Sequence, residues 1–156
     1  MRRTLNFHTP DDILNDCRQL ADGPCTMLGQ WTLAQNVRHL ARGVDCFYDG
    51  FGFEANWFVR NLLGGLIKRR ILKRGMPAGI RLPTTAQRLL PPEDEADLRG
   101  ALEHLSASIR RLEQEPPTQP HPVFGRMTQE EVRILLLRHA ELHLSFAVPQ
   151  VAATAR

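Results

Sequence analysis

The stretch VRILLLRHAELHLSF, residues 132–146, decides the fold and points to the function. Wound at about 100° per residue, it places His139 and His143 within about 20° of Val132. Leu136 and Phe146 flank them, and Glu141 falls opposite. The pattern predicts a core-facing helix with two imidazoles at the centre of its apolar face. Buried imidazoles are costly unless their ring nitrogens find partners. One metal ion would satisfy both rings; backbone carbonyls or water are the alternative.

Working outward, Thr128 and Glu131 form a capping box that opens this helix, and Pro149 lies just beyond its end. Upstream, Thr32 and Gln35 form another capping box and open a helix to about Tyr48, with Leu33, Val37, Leu40, Val44 and Phe47 as its stripe. Pro10, Asp11 and Asp12 begin a short helix to about Leu20, with Thr9 as its cap. A third long helix is expected over Ala55 to Arg74, although Gly64 and Gly65 weaken its middle. A fourth is expected after Pro91-Pro92 and Glu93 to Glu95, running to about Gln114 on Leu98, Leu102, Leu105, Ile109 and Leu112. The proline-rich stretch between them reads as a long functional or crossover loop. No segment reads as a strand. The expectation is an all-α chain: a four-helix bundle with a short extra N-terminal helix.

The 156 residues suit a single domain over 1–156. At 42% hydrophobic and 24% charged residues, the composition is that of an ordinary globular protein. A net charge of +3 lacks the concentrated basic face of a nucleic-acid binder. No apolar run reaches the length of a membrane span, and the first residues lack the apolar stretch of a signal peptide. Cys17, Cys25 and Cys46 have no CxxC spacing and leave an odd thiol, which fits a reducing, cytoplasmic setting better than a disulfide framework.

His139 and His143, one helical turn apart, can converge on one ion. The zinc-protease pattern HExxH is excluded, because Ala140 stands where its catalytic glutamate would be. A third ligand has to come from another helix. His39, at the edge of the second helix's stripe beside Asn36 and Gly43, is the best placed. His8 is near a terminus, His104 on a helix flank and His121 in a loop before Pro122.

The segment LGQWTLAQNVRHLAR, residues 28–42, resembles the first half of the signature of the DinB-like (YfiT-like) metalloenzyme superfamily, and RHAELHLSF, residues 138–146, resembles its second half. With IRLP at 80–83 and HPVFGRMT at 121–128, the chain is more narrowly similar to an uncharacterised branch of that superfamily, a domain of unknown function. The resemblance covers nearly the whole chain. It implies an up-down-down-up bundle, often a homodimer, and a divalent metal held by His39, His139 and His143. It also brings in a superfamily that includes enzymes using low-molecular-weight thiols.

A three-histidine site can lower the pKa of bound water or hold a thiol sulfur as thiolate. Hydrolysis needs a nearby base, and no carboxylate is obviously aimed at the site: Glu141 faces out, Asp45 falls on the exposed side of its helix, and Glu54 is in a loop. Thiol-dependent S-transfer onto a small-molecule substrate asks less of the protein and is the leading expectation. Three imidazoles accept several divalent ions, zinc and nickel foremost. Gln35 and Asn36 are candidates to support the ligands or contact substrate, with helix-entrance polar residues as the simpler reading. Trp31 would line the pocket mouth or staple the helix start. His121 would approach the site as an acid or base, or hold a rigid turn. Cys46, about 10 Å along the axis from His39, is too far to be a ligand.

Two other classes compete. The basic run Lys68 to Arg74 could track phosphates or an anionic membrane, though cations at a solvated helix C-terminus explain it at no extra cost. A metal-free bundle acting through dimerisation or partner binding is the other.

Overall fold

The computed structural model describes residues 1–53, 59–79 and 97–150. Among them, helix α1 spans Pro10–Ala21, α2 Leu33–Asp49, α3 Gly64–Arg74, α4 Leu98–Gln114 and α5 Gln129–Leu144. Two short strands, β1 at Cys25–Met27 and β2 at Ala147–Pro149, complete the described elements. The architecture is predominantly helical.

The helix starts arise from local chemistry. Thr9, Thr32 and Thr128 each accept from the backbone N–H three residues on. The side chains of Asp12, Gln35 and Glu131 reach back to the cap N–H, so all three are complete capping boxes. Helix α4 starts at Leu98, where the Asp97 carboxylate accepts from the amides of Arg99 and Gly100. The expected opening at Pro91 to Glu95 lies outside the described residues, as do Ala55 to Phe58 of the expected third helix. From Val59 to Arg74 the chain is not one uninterrupted α-helix: Val59–Leu63 is a π-helical turn that gives way to α3 at the glycine pair. Glycine's low helix propensity makes that point the easiest place for the ladder to change register.

The small sheet corrects the expectation of no strands. Cys25, Thr26 and Met27 pair antiparallel with Pro149, Val148 and Ala147. Three-residue strands are too short to show an alternating pattern, and their partners are more than a hundred residues apart in sequence. Pro149 is tolerated because it ends the ladder, where its missing N–H costs little. This pairing ties the chain after α5 to the connection between α1 and α2.

Helix α2 packs along α4 and α5, while α1 lies against α4 and α5 and α3 against α5. Ile13, Val37, Leu40, Leu105, Leu112, Val132 and Leu144 are fully buried at these contacts. Each contributes about 1.5–3 kcal/mol of burial. Helix α5 is enclosed on more than one side: Val132, Leu136 and Ala140 are buried, but so are Leu135, Leu137 and Leu144. A central helix of this kind is apolar around much of its circumference. Its polar residues are therefore placed at chosen contacts. Glu141 does point away from the histidines, yet not into solvent. It accepts the Phe7 N–H at 2.9 Å and pairs with Arg138 at 2.8 Å, while Arg138 donates to the Phe7 carbonyl. The residues before α1 are thereby clamped onto the back of α5.

No helix among the described residues is long and apolar enough to cross a membrane.

Candidate metal centre

The two capping boxes set the phase of α2 and α5 so that His39, His139 and His143 meet. One nitrogen from each lies within 4.8 Å of the others, a group that could hold a metal ion. The rings are 4.6–5.0 Å apart by centroid, and no pair is stacked flat. His39 Nε2 and His139 Nε2 are 3.2 Å apart. Two imidazoles at that separation either share a proton or aim two lone pairs at one cation. The edge of a tetrahedron with 2.0–2.1 Å bonds is about 3.3–3.4 Å, so the donor set fits a small divalent ion.

The third histidine has its orientation fixed from behind. His143 Nδ1 lies 3.0 Å from Asn36 Oδ1, and the Asn36 amide nitrogen donates to the Thr32 carbonyl at 2.8 Å. That second bond fixes which end of the amide faces His143. Its oxygen must accept, so His143 carries its proton on Nδ1 and leaves Nε2 with a lone pair. His139 lies against Gly43, where a Cβ would stand at ordinary contact distance, 3.6 Å from Cε1 and Nδ1, and a larger side chain would press on the ring. Trp31 stacks on His143 at 5.5 Å and meets His39 edge-on at 5.0 Å.

Burial keeps His139 and His143 neutral. His143 is pushed down to about 3, first by burial and then by the charge on His39. His139 is lowered well below the ordinary value, by burial and then by the charges of His143, His39 and His121. Neutral imidazoles are the form that ligates metal.

The other expected residues divide. Gln35 is held by its capping box, its Oε1 accepting the Thr32 N–H at 2.8 Å, in line with the simpler reading. For Asn36 the simpler reading fails, since its side chain holds His143. Trp31 sits on the histidine group. His121 does not join the three. Its Nδ1 accepts from the amides of Val123 and Phe124 at 3.1 Å, and its ring stacks on Phe124 at 4.2 Å, so it holds the turn before α5. Cys46 and the other two cysteines are free thiols outside the group.

Among the described residues no carboxylate joins the histidines. Asp45, expected on an exposed face, instead bridges α2 to α4: one oxygen lies 2.6 Å from His104 Nε2, and the other accepts from Ser108 at 2.8 Å. That role has no sequence signal, because it depends on which flank of α4 faces α2. Glu54 lies outside the described residues.

No curated protein and no solved structure matches the chain. Residues 1–150 match the model of a family described as a protein of unknown function, DUF1569, and the chain belongs to that family.

Proposed function

We propose that this chain is a DinB-like, metal-dependent enzyme that binds one divalent ion through His39, His139 and His143 and joins a low-molecular-weight thiol to a small-molecule electrophile. The observation that carries the reading is the convergence of three imidazoles from two helices, with ligand atoms within 4.8 Å of one another. Zinc or nickel suits an all-nitrogen set. The ion supplies the Lewis acidity that favours a thiol's ionised form. Three protein ligands, rather than four, are the complement of a catalytic site. The chain's own residues hold and orient the group: Asn36 fixes the His143 tautomer, Gly43 seats His139, and Trp31 covers one side against water. S-transfer is favoured over hydrolysis because no carboxylate among the described residues joins the histidines. The same reading takes the helices as an up-down-down-up four-helix bundle.

Loading the protein with zinc or nickel and screening thiol–electrophile pairs tests it. Turnover that requires the ion and disappears in His143→Ala is the expected result; metal-independent turnover, or none with any pair, contradicts it.

A non-catalytic role through self-association has one observation in its favour. Leu62, Leu63, Leu66 and Ile67 are exposed along the π-turn and the start of α3. Such a ridge suits a homodimer contact, in which the enzyme reading also shares. Scattering mass in solution separates monomer from dimer. The basic run after it is a weaker phosphate tracker than its composition suggests, since Lys68 is committed to Glu131 at 2.7 Å.

A further inference from the structure

Beyond the C-terminal end of α2 lies a cavity of about 330 Å³, at the lower end of the range for small-molecule sites. Phe51 and Phe53 line it, on a turn that Gly50 and Gly52 make with φ of +94° and +69°. Arg60, Gln119 and His121 also line it.

The polar side chains there bring N–H donors: a guanidinium, an imidazole and an amide, the amide also carrying an acceptor oxygen. Arg60 is half-buried and has no hydrogen-bond or ion-pair partner among the described residues. Its planar fork of N–H donors, uncommitted to any described group, is free to meet an anion in the cavity. Arg60 sits in the π-helical turn Val59–Leu63, a widened turn that recurs at functional sites. His121 spends Nδ1 on accepting two backbone amides. Its neutral ring therefore carries its proton on Nε2, the one polar edge left for a ligand. The side-chain amide of Gln119, exposed at the rim, adds further N–H groups. No acidic side chain lines the cavity among the described residues. The walls are aromatic, with Phe51 edge-on to His121 at 5.0 Å.

We propose that the Arg60–His121 cavity is a binding site for the carboxylate of a small aromatic acid, with Arg60 as its anchor and Phe51 and Phe53 gripping the ring. The fork of the guanidinium matches a carboxylate in two parallel bonds. An aromatic body supplies the apolar area that the phenylalanines would otherwise expose. None of the three histidines lines the cavity, and the proposal does not rest on the metal reading.

Benzoate is the probe, titrated into full-length protein kept in chelator, with binding followed by amide chemical shifts at Gln119 and His121. The proposal predicts saturable binding at those residues, and no binding of the neutral isostere benzamide. Affinity should fall about ten- to a hundred-fold in Arg60→Gln and recover in part in Arg60→Lys. Arg60 makes no described contact whose loss would unfold the chain, and a melting curve checks this. Equal binding of benzoate and benzamide, equal affinity in Arg60→Gln, shifts that fall elsewhere, or no binding by wild type would each overturn it. So would binding that appears only when metal is restored, which would place the carboxylate at the histidines.

Discussion

The Asn36 side chain spans α2 to α5 and accepts the Nδ1–H of His143 at 3.0 Å, while its own amide is anchored to the Thr32 carbonyl one turn back. A cap carbonyl at the start of α2 thus determines which nitrogen of a histidine on α5 is offered to a metal. Asn36→Ala removes that control without touching a ligand. Metal affinity is expected to fall about 10–100-fold, measured by competition with a chromophoric chelator, while nitrogen chemical shifts of His143 show the loss of a single tautomer.

Gly43 separates steric from electronic support. Alanine there meets the His139 ring at ordinary contact distance, 3.6 Å, and raises helix propensity. Gly43→Ala should retain the metal and gain up to about 1 kcal/mol of stability. Gly43→Val adds two methyl groups against the ring, and metal affinity should drop while the fold persists. Parallel melting curves and zinc titrations of the two variants read both effects.

How much of this is visible in the sequence divides along local and non-local lines. The caps of α1, α2 and α5, the stripe of α2 and the pairing of His139 with His143 all depend on residues within a few turns of one another. The edge position of His39 on its stripe makes it the best-placed candidate to join them. The β1–β2 pairing joins residues more than a hundred positions apart and has no periodic signature. Asp45 shows the same limit. A helical wheel places it in solvent, whereas α4 brings His104 and Ser108 over it. The wheel turns Glu141 away from the histidines, as the structure does, but only the path of residues before α1 shows that Phe7 covers it.

The Asp45 bridge supplies a control for the metal centre. Asp45→Ala leaves Ser108 and His104 without their shared acceptor between α2 and α4. Stability should fall by about 1–3 kcal/mol in urea denaturation, with zinc affinity unchanged within about two-fold of wild type. A parallel loss of metal would show that the two features are not separate.

Burial holds His121 down to about 4 against an ordinary 6.5. Between those values the unfolded chain binds the proton and the folded chain does not, so stability rises with pH across this window. The contribution is complete above about 6.5 and is lost as pH falls towards 4, about 3 kcal/mol in all. His121→Phe should be less stable at neutral pH, through two backbone amides left unpaired, and should show a shallower decline on acidification. Urea midpoints of the metal-free proteins at several pH values between 4 and 7.5 test this.

The central claim is that His39, His139 and His143 form one metal site. Elemental analysis of tag-free protein, wild type beside His139→Ala, tests it most directly. The account predicts about one divalent ion per chain in wild type and little or none in the variant, with both proteins folded. Wild type that stays empty after incubation with zinc and nickel, or a variant that holds as much metal as wild type, would contradict it.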